Sequence, residues 1–294
     1  MPVTHLLLGI LVALVWAANF IAVRLGLDAG LPPMLLTALR FAVVGMLAPL
    51  VPRPCSWRRL LGLGVTLGLG QLGLSTLAVA AGLSPGIASL AMQTQAFFTM
   101  GLAALLLGEL PTPRHLAGAV VAGGGIALLV FSRSGASAVP PLGLALILAS
   151  AASWAAGNLL LRRIGTAGHP LSIAIWMAAI TAPALLALSW WLEGAPLQAL
   201  AALRLPGQAA GVVAYSAIGS TLVATAVWAW LLARHPAGRV APLSLLVPVF
   251  GMSLSALLLG ERFQARDMLA AALVLAGLVL PLVPGWRRVL QSAN

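Results

Sequence analysis

Charge is scarce in this chain, and so is sulfur. Of 294 residues only 7% are charged, five are acidic, one is cysteine, one is tyrosine, and none is lysine. Globular domains carry about 25% charged residues, so a chain with 61% hydrophobic residues and a mean hydropathy of +1.07 is excluded from the ordinary soluble class. Its apolar surface exceeds what one water-surrounded core can bury, and the solvent must largely be lipid. The lone Cys55 lies in the polar stretch 53–59, which excludes a disulfide framework and a paired-thiolate metal site. No metal or cofactor is expected. The net charge of +11 comes from sixteen arginines that mostly flank apolar runs. That placement serves anchoring and topology, not nucleic-acid binding.

What the chain does contain is long apolar runs. Crossing about 30 Å of hydrocarbon takes about 20 apolar residues. Runs between Pro, Gly and Arg clusters predict ten spans near 4–26, 33–51, 59–81, 86–107, 114–131, 141–164, 170–191, 208–232, 239–259 and 266–284. The N-terminus lacks a basic leader, and its first run is long enough to be a span and not a cleaved signal. Loops after even-numbered spans and the C-terminal tail hold ten arginines, including Arg287 and Arg288, against five in the opposite loops, Arg133 among them. This bias predicts both termini in the cytoplasm. Trp190, Trp191 and Trp286 read as interfacial anchors.

The chain also repeats itself. Phe98–Glu109 returns 152 residues later as Phe250–Glu261, with nine of twelve positions identical and ALLLGE unbroken at the end. Trp16-Ala17-Ala18 with Arg24 returns as Trp154-Ala155-Ala156 with Arg162, at an offset of 138. The difference of 14 residues falls in the connection Glu193–Gly207. Gly125 likewise maps onto Gly277. Two units are predicted, residues 1–135 and 136–294, with five spans each. Because five is odd, the second unit enters the membrane from the other side, giving an inverted repeat around a central cavity.

These residues resemble a known family. Trp16-Ala17-Ala18-Asn19-Phe20, Arg40-Phe41, Ala88-Ser89-Leu90 through Glu109, and Arg239-Val240-Ala241-Pro242 through Pro248 and Glu261-Arg262 are similar to the paired EamA-type repeats of the drug/metabolite transporter superfamily. The likeness is to bacterial amino-acid and cysteine-metabolite exporters. It implies an all-helical inner-membrane carrier, a small-molecule substrate, and export by alternating access. A monomer is expected.

Polar groups at membrane depth are costly unless they pair or line water, so each is a candidate. Trp16 and Asn19 share a face of span one, with Phe20, and Trp154 and Asn158 share a face of span six. An aromatic with an amide one turn on can cover a ligand and bond its polar head. Gln71 in span three reads either as a substrate contact or as an interhelical tie. Gln93 and Gln95 are about 200° apart on a helix, so at most one faces a substrate. Span eight offers Tyr215 and Trp228, with Ser216, Ser220 and Thr221. Pro248 frees the carbonyl of Ser244, which needs a donor, and marks span nine as a hinge. Arg40, an intramembrane charge in span two, could attract a substrate carboxylate, pair with carbonyls or snorkel to the outer interface, and is read as structural by default.

No acidic residue falls at mid-membrane, which disfavours a second reading, export of hydrophobic cations. A third reading, an intramembrane enzyme, rests on Gly82-Leu83-Ser84-Pro85-Gly86, a GxSxG pattern. That motif needs a strand-to-helix elbow and a histidine partner. Here Ser84-Pro85 is predicted to be an N-cap followed by proline at the first helical position.

Overall fold

The structure is a computed structural model that describes residues 1–132, 139–164 and 169–282; Arg133, Trp286, Arg287 and Arg288 lie outside them. Ten helical spans are present: α1 (Val3–Asp28), α2 (Pro33–Leu50), α3 (Trp57–Ala80), α4 (Pro85–Leu107), α5 (Pro113–Phe131), α6 (Pro141–Ile164), α7 (Pro170–Glu193), α8 (Pro206–Arg234), α9 (Ala241–Leu259) and α10 (Ala265–Leu282). They coincide with the spans predicted from apolar runs to within a few residues. The long connection after α7 carries a short helix, Pro196–Ala201.

Six spans open on proline, so six of the twenty prolines start a span and do not break it. At that position the missing N–H is one of the unbonded donors in any case, and the fixed φ suits the helix. Ser84 caps α4 as expected, its Oγ accepting from the Ile87 N–H at 3.4 Å. The two ALLLGE segments end alike. Gly108 (φ 70°) and Gly260 (φ 67°) turn left-handed, and the Glu109 and Glu261 amides close back onto the carbonyls of Ala103 and Ser255, each at 3.3 Å.

Lipid offers no hydrophobic drive between helices, so close approach of small residues holds such bundles together. A Cβ on Gly118 of α5 would collide with the carbonyl of Gly277 on α10, and one on Gly277 with that of Gly118. On α2, a Cβ at Gly45 would stand 2.6 Å from the Ala179 Cα of α7. The principal pairings across the chain are α1 with α8 and α9, α6 with α3 and α4, α2 with α7, α4 with α9, and α5 with α10. Adding five to every number, modulo ten, returns the same set.

One departure from this pattern positions the site. The α4–α9 contact runs through Pro85–Ala91 and Leu246–Leu259. Every residue of Pro85–Ala91 is buried, whereas in Gln95–Leu107 only Ala103 is. Among the described residues no comparable packing joins Gln95–Leu107 to α9. The bundle is closed toward the face bearing Asp28, Pro85 and Glu261, and splayed toward the face bearing the N-terminus.

Candidate functional site

The ten candidate residues and the hinge proline fall into three groups, Gln71 and Ser244 taking part through their backbone carbonyls. In the first, α1, α2 and α8 meet. The rings of Trp16 and Trp228 lie 5.1 Å apart, tilted by 56°, and Trp16 Nε1 donates to the Ser220 carbonyl at 3.4 Å. The Tyr215 hydroxyl donates to the Val15 carbonyl at 2.8 Å. Asn19 Oδ1 accepts from Arg40 Nη1 at 3.2 Å. Arg40 also donates from Nε to Thr221 Oγ1 at 2.7 Å and from Nη2 to Ser220 Oγ at 3.2 Å.

The backbone of α8 explains how one helix supplies so many groups here. Tyr215–Val223 is wound as a π-helix, whose wider turn bonds at five residues. Thr221 Oγ1 donates to the Ser216 carbonyl, five residues back, at 2.8 Å. The Ser216 hydroxyl is buried without a hydrogen-bond partner. The sequence pattern assigned regular helix to this stretch, and the π segment corrects it. The Gly-rich run Gly64–Gly73 of α3 is wound the same way.

In the second group α3, α4 and α6 meet. Asn158 Nδ2 donates to Gln95 Oε1 at 3.2 Å, and Thr99 Oγ1 donates to the Gln95 carbonyl at 2.7 Å. The Gln71 carbonyl accepts from Ser150 Oγ at 2.5 Å, and Ser153 Oγ donates to the Thr66 carbonyl at 2.9 Å. Gln95, Thr99 and Asn158 are only half-buried and face the splayed end. Trp154 packs against the aliphatic core, unlike its sequence counterpart Trp16 with its ring partner.

The third group is the hinge. Pro248 leaves the Ser244 carbonyl without its helical donor, and Gln93 Nε2 supplies one at 3.1 Å from across the α4–α9 contact. α9 is a 3-10 turn over Ala241–Leu245 and α-helix from Leu246. The two glutamines therefore divide as their spacing requires: Gln93, buried, ties α4 to α9, and Gln95 meets Asn158 on α6.

Two features escaped the sequence. Glu193, at the end of α7, accepts from the Met34 and Leu35 amides at 2.6 and 3.0 Å and so caps α2. Proline at the first position of α2, followed by two donors with no acceptor of their own, was the available signal. Near the closed face, Arg24, Asp28, Ser84 and Glu261 line a cavity of about 280 Å³. All four histidines, His5, His115, His169 and His235, stand toward the N-terminal face, so Ser84 has no histidine within reach. Among the described residues no group of three or more His, Cys, Asp or Glu could hold a metal.

The pattern of two five-span units is that of the EamA-like transporter family, whose profile matches residues 3–131 and again 141–283. The chain belongs to that family and is a multi-pass membrane transporter, not an enzyme. It is similar to two proteins named "probable amino-acid metabolite efflux pump": one from Escherichia coli K12, 35% identical over 98% of both chains, and one from Salmonella typhimurium, 36% identical over 93% of both. A solved crystal structure, 21% identical, has the same fold at a TM-score of 0.66 over 96% of this chain and 97% of that one.

Proposed function

We propose that this protein exports amino acids or closely related small metabolites across the bacterial inner membrane. Two inverted units, 1–135 and 136–294, alternate access, and both termini lie in the cytoplasm. On that topology the splayed side is cytoplasmic, where an exporter loads. The substrate sits between the units, against Trp16, Asn19, Tyr215 and Trp228 on one side and Gln71, Gln95, Trp154 and Asn158 on the other. Gln93, Ser244 and Pro248 hold the hinge between them.

The observation that carries this reading is the amide- and indole-rich character of both polar groups, whose one charge is the buried guanidinium of Arg40 beside Asn19. It suits the ammonium and carboxylate of a zwitterion, which need donors and acceptors and bring their own balance of charge. The likeness to proteins named as amino-acid metabolite efflux pumps agrees with it. Export of hydrophobic cations fits less well. All five acidic residues, at 28, 109, 193, 261 and 267, lie at span ends, leaving no carboxylate to hold a cation at mid-depth.

The test is counterflow in proteoliposomes with labelled amino acids and cationic dyes. Uptake of amino acids is expected; uptake of dyes alone refutes the proposal. In the same assay Trp16→Ala and Asn158→Ala reduce transport about tenfold or more without loss of the folded peak in size exclusion.

A further inference from the structure

Arg40 is the eighth residue of an eighteen-residue span and only 5% exposed. A guanidinium cannot shed its charge in a protein, and a buried charge is strongly unfavourable unless an opposite charge meets it. Here every partner is neutral: Asn19 Oδ1, Ser220 Oγ and Thr221 Oγ1. No carboxylate of the chain bonds to it. Asp28 pairs with Arg24, Glu109 with Arg162, Glu193 caps α2, Asp267 caps α10, and Glu261 stands behind Gly260 at the closed face.

The hydrogen bonds leave the same gap. A guanidinium has five N–H groups, and three are used. The remaining two, one on each Nη, have no acceptor among the described residues. The hydroxyl of Ser216, in the π segment that supplies Ser220 and Thr221, is fully buried and also unpartnered. Unsatisfied donors and an uncompensated cation at one mid-membrane point, beside Trp16 and Asn19, make an electrostatic site that lacks its anion.

We propose that Arg40 is the carboxylate-recognising residue of this transporter, and that it restricts transport to substrates bearing a free carboxylate. The inference rests on the proposed amino-acid export, which it sharpens. The two open N–H groups take the two carboxylate oxygens, Asn19 and Thr221 hold the guanidinium plane, and the indoles of Trp16 and Trp228 cover the rest of the molecule. A charge-assisted pair of this kind is about twice as strong as a neutral hydrogen bond and is selective in geometry. A point-charge ammonium replaces it poorly.

The experiment is competition in counterflow with matched sets: leucine, threonine and phenylalanine, each as free acid, as amide and as decarboxylated amine. In the wild type the acids compete about tenfold or more better than their amides. In Arg40→Gln that ratio collapses toward one, and in Arg40→Lys it falls to an intermediate value. Arg40→Lys keeps the charge and serves as the informative variant if Arg40→Gln does not fold. A folded Arg40→Gln or Arg40→Lys protein with the wild-type acid-to-amide ratio overturns the inference and leaves amino-acid export standing. If the wild type moves no amino acid, export falls instead, and Arg40 is then judged by quenching of tryptophan fluorescence with propionate against propionamide. Quenching selective for propionate and lost in Arg40→Gln upholds the subsite; equal response to both ends it.

Discussion

The two faces of the bundle carry the same sequence pattern and use it differently. At the splayed face Arg162, in the last turn of α6, grips Glu109 with both nitrogens at 2.9 and 2.7 Å. The matching residues at the closed face are Arg24, at an offset of 138, and Glu261, at an offset of 152. They do not pair. Arg24 turns to Asp28, one turn along its own helix, at 3.1 Å, and the buried Oε2 of Glu261 has no partner. The glutamates are presented by identical left-handed glycine turns, so presentation is not the cause. One difference bears on the charge: the position matching Asp28 is Thr166, which offers none. A local acid wins because an i,i+4 contact within one helix orders less of the chain than a bridge between two.

The faces also differ in what holds them. The closed face relies on buried packing and on bonds to backbone: Pro85–Ala91 against α9, Glu193 on the α2 amides, and the Arg204 amide on the Ala29 carbonyl at 3.1 Å. The splayed face relies largely on side-chain pairs, the exposed Arg162–Glu109 and the half-buried His5–His235. Exposed ion pairs contribute little and are screened by salt. The splayed face is therefore the one with less to lose on rearrangement.

The harshest way to break this contrast is to overfill the closed face. A Cβ at Gly251 already lands on the Ser89 side chain, so Gly251→Leu cannot be accommodated without parting α4 from α9. It is expected to destabilise the protein by about 3 kcal/mol or more and to expose a cysteine placed at Ser84 to aqueous maleimide. A melting temperature and labelling rate like those of the wild type would deny that this contact closes the face. Glu193→Ala comes next. Removing an ionised cap from two amides at the start of α2 costs about 1–3 kcal/mol, read as a lower thermal midpoint, with Glu193→Gln recovering part of it.

Several of these contacts could be read from sequence and others could not, for one physical reason. Local rules reach local features: Pro248 had to free the Ser244 carbonyl, Ser84-Pro85 had to open a helix, and Gly108 and Gly260 had to end theirs. The spacing of Gln93 and Gln95 required different neighbours, though not which ones. The Arg40 ligands Ser220 and Thr221 lie 180 and 181 residues away, and the Glu193 cap spans 159 from Met34. No helical period encodes such distances. The π turns of α3 and α8 were hidden as well, because Gly-rich and Ser-rich runs look like ordinary packing helices until the i,i+5 bonds are seen.

Asp28→Asn sharpens the contrast at a smaller scale. With its near partner neutralised, Arg24 is left beside the unpartnered Glu261 in the shared cavity, and the α1 and α9 ends draw together. Spin labels at Leu25 and Arg262 should report a shorter distance than in the wild type. An unchanged distance would mean that Asp28 is not what keeps the pair apart.

The gentlest probe is pH. The Arg162 guanidinium holds the Glu109 carboxyl below its ordinary value of 4.5, through their hydrogen bond first. A depressed carboxylate contributes stability that is present above its ordinary value and is lost as pH falls through the lowered one, so this pair persists through the whole physiological range. His235 behaves otherwise. Its Nε2 lies 2.7 Å from His5 Nδ1, and burial, then the charges of His5, the N-terminus, Arg239 and Arg234, lower it from 6.5. Folding favours its neutral form, so its contribution is full above pH 6.5 and declines as pH falls below that value toward the lowered one. The nearby Trp230, whose ring lies 4.8 Å from His5 and under the Arg234 guanidinium, sits in the same contact. Between pH 7.5 and 5.5 the thermal midpoint of the wild type should fall more than that of His235→Gln, while Glu109→Gln should track the wild type over the same window. Parallel curves for the wild type and His235→Gln would remove the histidine pair from the forces that hold the splayed face.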